Sequence, residues 1–101
     1  NDADRSIFSF IRKSKDGKNC LLFVCNFTPV ARPDFRVGVP CPGRYTLLLN
    51  EKREEGTEYI AEKIPTDRME YSIPLPLAPY GTAIIKFNYK KVKKPIKKIK
   101  K

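Results

Sequence analysis

The sequence predicts an all-β fold, an antiparallel sandwich or barrel of about seven short strands. Three observations predict it. Apolar residues alternate with polar ones in short runs, most clearly at Met69, Tyr71, Ile73, Leu75 and Leu77 and again at Ala83, Ile85, Phe87 and Tyr89. Such a period puts every second side chain on one face of a strand. The runs are punctuated by proline, glycine or Asp-Gly at intervals of about ten residues, and no stretch keeps a helical period.

Each element follows in order. Ser6 to Ser14 reads as the first strand, with Ile7 and Ile11 on one face and Phe8 and Phe10 nearer the other. Apolar residues on both faces place it inside the sheet or against a neighbouring domain. Lys15-Asp16-Gly17-Lys18 supplies a hairpin turn, so Asn19 to Phe27, with its continuous run Leu21 to Cys25, pairs antiparallel with that strand. From Asn26 to Pro40 the chain reads Asn-Phe-Thr-Pro-Val-Ala-Arg-Pro-Asp-Phe-Arg-Val-Gly-Val-Pro. Pro29 and Pro33 cannot donate to a ladder and therefore punctuate, while Phe35 to Val39 alternates as a strand. Pro40-Cys41-Pro42-Gly43 turns the chain into a strand from Arg44 to Asn50, with Tyr45, Leu47 and Leu49 on one face. Glu51 to Gly56, five of six residues charged, is a solvated loop, and Thr57 to Ile64 a short edge strand. In Met69 to Leu77 the two prolines Pro74 and Pro76 share the polar side, which assigns that strand to a sheet edge. Pro79-Tyr80-Gly81 turns once more, and Thr82 to Tyr89 closes the fold.

A chain of 101 residues is one small domain burying roughly 60 to 65 % of its unfolded surface, enough for a single two-layer core and not for a cleft with its own catalytic floor. The opening Asn1-Asp2-Ala3-Asp4 has neither an initiator methionine nor an apolar signal segment, and reads as the start of a piece cut from a longer chain. No run of about 18 apolar residues exists, which excludes a helical membrane span. The formal charge of +10 is concentrated: eight lysines fall in residues 90–101, and the +10 less those eight leaves +2 for the other 89 residues. The expected organisation is a sandwich over residues 1–89 and a lysine-rich, disordered tail over residues 90–101, its self-repulsion and central Pro95 opposing regular structure.

Catalytic chemistry finds no constellation here. The acids, among them Asp16, Glu51, Glu54, Glu55 and Glu70, fall in turns, at strand ends or on polar faces, as solvated carboxylates do. Without histidine the common nucleophilic triads cannot be built, and the five glycines form no phosphate loop. Cys20 and Cys25, an odd number of residues apart on one strand, point to opposite faces, and with Cys41 they suggest neither a disulfide framework nor a zinc site. Unpaired thiols fit a reducing cytoplasm. The sequence therefore predicts no catalytic, cofactor or metal residues. The Asn26-Phe27-Thr28 glycosylation pattern is discounted, being short and followed at once by Pro29. The tail attracts anions but has no aromatic residue to stack bases and no arginine for bidentate readout, so a solvated end is favoured over a nucleic-acid arm. Tyr59 and Tyr80 suit a sugar-stacking surface less well than packing.

The segment Asn26 to Pro40 also resembles a known family, the C-terminal all-β domain of 1,4-α-glucan (glycogen) branching enzymes, in which an Asn-Phe-Thr-Pro-Val corner leads into an Arg-Val-Gly-Val-Pro strand. Ser6 to Arg12, Leu22 to Pro29, Pro42 to Asn50, Tyr71 to Leu77 and Ala83 to Ile85 look like further strands of that domain, covering roughly residues 5 to 88, and the resemblance implies an antiparallel β-sandwich of about seven to eight strands with Greek-key-like connections. The charged loop Glu51 to Gly56, poorer in glycine than the family pattern, and the lysine tail depart from it. The resemblance implies a cytoplasmic parent enzyme that transfers α-1,4-glucan chains to make α-1,6 branches, with its catalytic carboxylates in a preceding (β/α)-barrel domain. No residue of this chain matches them. What carries over is a non-catalytic role: packing on and stabilising the barrel, with glucan as the parent's substrate and assistance in holding glucan as a further expectation. Phe8, Phe10, Leu22, Val24, Phe27 and Pro29 are the candidate interface residues, because both faces of the first two strands carry more apolar surface than a lone sandwich needs. The alternatives are a stand-alone basic β module binding nucleic acid and an independent carbohydrate-binding module.

Overall fold

The Asp16 turn is where the sheet begins. The Asp16 carboxylate accepts the Ser14 hydroxyl at 2.8 Å and the Lys18 N–H at 2.9 Å. The Lys18 bond first, then Ser14, hold its carboxyl below the usual range. Gly17 at φ +75° supplies the left-handed step. The turn joins β1 (Ile7–Arg12) to β2 (Cys20–Asn26) in antiparallel register, Phe8 facing Cys25 and Phe10 facing Phe23. The structure, a computed structural model, describes residues 6–89; the lysine-rich stretch expected to be disordered, and its boundary with the sandwich, lie outside the described residues.

The chain then alternates between two sheets. β3 (Arg36–Val39) starts the second sheet, β4 (Arg44–Leu49) and β5 (Glu58–Ile60) return to the first, β6 (Tyr71–Pro74) pairs with β3, and β7 (Thr82–Phe87) inserts between β2 and β4. The result is an antiparallel five-stranded sheet of order β1-β2-β7-β4-β5 facing a two-stranded sheet β3-β6, the sandwich of the two antiparallel architectures that alternation leaves open. One core lies between them. Leu22, Val24, Leu47 and Ile85 come from the large sheet and Val37, Val39 and Ile73 from the small one, each 1 % exposed or less. Each such side chain contributes about 1.5–3 kcal/mol by leaving water.

Three expectations need correction. β1 is an edge strand, not an interior one; its two apolar faces arise because Ile7 and Ile11 pack toward the core while Phe8 and Phe10 face outward, 54 % and 52 % exposed. Leu49 does not share the inward face of Tyr45 and Leu47. A β-bulge between Leu47 and Leu49 advances β4 by two residues against one on β7, so Leu49 pairs with outward Ile84 and stays 51 % exposed. The stretch from Met69 to Leu77 is regular only over Tyr71–Pro74. Leu75 and Leu77 continue inward through Leu75 N–H to Phe35 O and Leu77 N–H to Arg32 O, at 2.9 and 3.0 Å.

Tyr45 anchors the β3–β4 turn from inside. Its ring stacks on Phe87 at 4.8 Å, and its hydroxyl donates to the Cys41 carbonyl at 2.7 Å beside the Cys41 Sγ. Burial first, then the Cys41 thiol, push the phenol far above its ordinary range. In the unfolded chain it ionises near pH 10, in the folded one it stays neutral, so stability falls as pH rises above that point. The wild-type free energy of unfolding, read by urea denaturation, should therefore drop above pH 10 by up to about 1.4 kcal/mol per pH unit more than that of Tyr45→Phe. At pH 7 that variant should already have lost about 1–3 kcal/mol, its Cys41 carbonyl having no donor. Parallel curves for the two proteins between pH 9 and 11 would contradict the burial argument.

Candidate functional site

The Asn-Phe-Thr-Pro-Val corner is a structural keystone. Asn26, 1 % exposed, spends its whole side-chain hydrogen-bonding capacity: Nδ2 donates to Val30 O and Ala78 O at 2.9 Å each, and Oδ1 accepts the Thr28 N–H at 3.0 Å and the Thr28 hydroxyl at 2.7 Å. Its backbone N–H reaches Gly81 O at 2.8 Å. The amide thus ties the end of β2 to the loop before β7, 52 residues away. With both of its hydrogens donated inside, the side chain has no free nitrogen to carry a glycan.

The second half of the motif is shaped by a loop that covers the small sheet. Gly38 and Ser72 face each other on the side of β3-β6 turned away from the core, yet both are buried. The segment from Glu62 to Met69 lies over them. Ser72 Oγ donates to Ile64 O at 2.8 Å, Arg36 Nε donates to Ser72 Oγ at 3.0 Å, and Arg36 Nη2 reaches Glu62 Oε1 at 2.7 Å. A Cβ on Gly38 would stand 2.5 Å from Thr66 O. This clasp was not legible as a site, since the residues it joins are 26 and 36 positions apart.

The large sheet has no such cover among the described residues. Its outer face carries a cross-strand row, Phe10 opposite Phe23, Phe23 opposite Ile84 and Ile84 opposite Leu49. The Phe10 and Phe23 rings stack nearly parallel, 4.8 Å apart and 6° between planes. Phe8 and Phe27 extend the surface, with centroids 5.7 Å apart, and Phe27 is 61 % exposed. Tyr80, exposed and held at φ 53°, stands beside the same corner through its N–H to Thr28 O at 2.9 Å. Nearer the hairpin the face turns polar, the next full row running Arg12, Leu21, Lys86, Thr46 and Glu58.

The six candidate interface residues divide on this geometry. Phe8, Phe10, Phe27 and Pro29 are exposed; Leu22 and Val24, at 1 % and 0 %, point into the core and have no surface to offer a partner. Alternation decides this, since Cys20, Leu22, Val24 and Asn26 are the inward residues of β2. The outward residues sequence reasoning missed are Phe23, whose alternation with Leu22 and Val24 was the available signal, and Ile84 and Leu49, placed outward by pairing and by the bulge. Elsewhere, a cleft of about 300 Å³ opens between the β4–β5 loop and the segment before β7. Within it Asn50 and Glu54 bond each other, and burial first and Glu54 second raise the Tyr59 phenol. Among the described residues no group of three metal-ligating side chains occurs, and no helix is long and apolar enough to cross a membrane.

Fold and face together define a class, an all-β module with one sheet covered by its own loop and the other presenting an apolar face. The chain belongs to the family described as alpha amylase, C-terminal all-beta domain, which matches residues 1–88. Among similar proteins, a 1,4-alpha-glucan branching enzyme GlgB from Butyrivibrio fibrisolvens is 40 % identical over 101 residues, covering 91 % of this chain and 16 % of that protein. A protein of the same name from Aquifex aeolicus is 40 % identical over 95 residues, 84 % of this chain and 15 % of that protein. One from Rubrobacter xylanophilus is 37 % identical over 92 residues, 84 % of this chain and 13 % of that protein. The chain thus spans about one-sixth of the length of the curated relatives it matches.

Proposed function

We propose that this chain is the non-catalytic C-terminal domain of a 1,4-α-glucan branching enzyme, bracing the catalytic (β/α)-barrel domain of a longer cytoplasmic protein that acts on α-glucan. The observation that carries the reading is the likeness to proteins bearing that name across 91 % of this chain. The free cysteines Cys20, Cys25 and Cys41 agree with a reducing compartment. What the described residues supply is packing: a closed core, a keystone amide and an apolar face.

The test is a comparison of two proteins on amylose, with α-1,6 linkages counted by debranching and chain-length analysis. The 101-residue chain alone should introduce no branches, and the full-length protein should introduce them readily. Branching by the short chain unaided, or none by the full-length protein, would overturn the reading.

A further inference from the structure

We infer that the charged end of the outer face of the five-stranded sheet, continued by the lysine-rich segment after residue 89, is a docking surface for an anionic lipid bilayer. Beyond the aromatic row this face carries Arg12 on β1, Lys86 on β7 and Arg44 on β4, all exposed. Lys86 and Arg44, with Thr46, Leu48 and Asn88, line a shallow groove of about 560 Å³. Among the described residues neither Arg12 nor Lys86 has an ion-pair partner. Arg44 meets Glu58 only through Nε at 3.6 Å, too long for a hydrogen bond, and both side chains are more than half exposed. So loose a surface pair leaves the guanidinium open to a further anion.

Charge is sorted by end. The β1–β2 turn adds Lys13, Lys15 and Lys18 beside Arg12, and Asp16 and Glu58 are the acids that oppose them there. Asp16 is already occupied by the Ser14 hydroxyl and the Lys18 N–H. The Tyr89 N–H donates to Gly17 O at 2.8 Å, and Lys13 Nζ lies 4.0 Å over the Tyr89 ring, so the chain leaves the domain at this turn. Eight of the next twelve residues are lysines and none is acidic. Six cations less two acids, with those eight lysines added, give +12 at this end, so the rest of the chain carries −2 of the total +10. Glu51, Glu54 and Glu55 sit in the β4–β5 loop, at the opposite end of β4 from Arg44.

The chemistry between the charges selects the bilayer. A nucleic acid would find no aromatic side chain to stack on among Arg12, Leu21, Lys86, Thr46, Arg44 and Leu48, and Tyr89 lies under Lys13. Residues 90–101 hold neither an aromatic residue nor an arginine. The residues set among the charges are aliphatic: Leu48, 42 % exposed, on the sheet, and Val92, Ile96 and Ile99 in the segment that follows. Lysine ammoniums neutralise headgroup phosphates as point charges, with no demand on geometry, and interleaved aliphatic side chains enter the boundary between headgroups and acyl chains. The family match ends at residue 88, so the eight lysines lie beyond what this chain shares with that family.

Co-sedimentation of the full-length protein with lipid vesicles tests the surface. Binding to vesicles of about 30 % phosphatidylglycerol in phosphatidylcholine should be at least about 100-fold tighter than to phosphatidylcholine alone. It should weaken more than about tenfold between about 0.1 M and about 0.5 M salt. Deleting residues 90–101 should weaken it more than about 30-fold, and Arg12→Glu/Lys86→Glu, with that segment intact, about tenfold. If circular dichroism shows the charge-reversed variant unfolded, Arg12→Gln/Lys86→Gln is read in its place, with a fall of about threefold. Equal binding to neutral and anionic vesicles, or binding to neither, overturns the proposal. Unchanged binding in a folded double variant overturns it too, since the sheet face would then take no part. Single-stranded RNA that strips the protein from the vesicles at equal total phosphate assigns the surface to nucleic acid and overturns the bilayer. Branching of amylose is read on the same preparation without vesicles. Lipid binding by an inactive protein sinks the enzymatic reading alone, and branching by a protein that ignores anionic vesicles sinks this inference alone.

Discussion

Asn26→Ala is expected to lower the stability of the domain by about 3 kcal/mol, a large share of the roughly 5–15 kcal/mol that holds a domain folded. The estimate follows from what each partner does once the amide is gone. Ala78 O keeps the Gly81 N–H at 2.9 Å, and Val30 O, 3.3 Å from the Thr28 hydroxyl, can take the proton that hydroxyl no longer gives to Asn26, so the two acceptors are not orphaned. The Thr28 N–H is different: its bond to Asn26 Oδ1 is lost in a residue only 7 % exposed, and a buried unpaired donor costs about 1–3 kcal/mol. The remaining lost bonds add about 0.5–1.5 kcal/mol each. Urea denaturation should show the loss as a lower midpoint with an unchanged slope, and a loss under about 1 kcal/mol would mean that the corner is held by something other than this amide. Asn26→Asp separates hydrogen bonding from shape. It keeps the acceptor but sets a carboxylate against Val30 O and Ala78 O, so its carboxyl should titrate above the ordinary range. The folded state then binds more protons than the unfolded one, and the variant should regain stability as pH falls from 7 toward 5, a trend the wild type should not share.

The corner also marks the limit of what the residues disclosed by themselves. Its prolines announced where strands stop, because a missing N–H acts locally, and the alternation of β6 and β7 assigned most inward residues for the same reason. Asn26 looked like a strand end or a glycosylation acceptor, since its real partners, Thr28 apart, lie in the turn that follows and 52 residues on. A period of two says nothing about a bulge, which depends on how β4 settles against β7, so alternation alone puts Leu49 inward. Two apolar faces suggest an interior strand or a domain contact for β1; only the pairing order shows that it is an edge, with Phe8 and Phe10 on an open face. A continuous apolar run hides which half of it points inward, so Leu22 and Val24 suggest an interface although they fill the core. The resemblance to branching-enzyme domains rests on residues whose work is to shape this sandwich, which is why it predicts the fold well.

Gly38→Ala should destabilise, although alanine ordinarily improves on glycine in a strand by about 0.5–1 kcal/mol. Gly38 carries no positive φ, so the constraint is space. A methyl group there would sit 2.5 Å from Thr66 O and 3.3 Å from Met69 Cβ. Thr66 O cannot simply turn aside: Thr66 and Met69 exchange backbone hydrogen bonds at 2.9 Å in both directions, closing a turn in which Asp67 and Arg68 already hold φ of 49° and 67°. The turn must lift as a unit, taking Ile64 from the Ser72 hydroxyl and Glu62 from Arg36. Overpacking of this kind costs about 1–3 kcal/mol, which less that gain leaves Gly38→Ala a net loss of about 1 kcal/mol and Gly38→Val more. Hydrogen exchange should locate the damage, with faster exchange at Glu62, Thr66 and Met69 while β2 and β7 keep their protection. A neutral or stabilising Gly38→Ala would mean that the Glu62–Met69 segment does not rest on this face. The small sheet would then be open on its outer side.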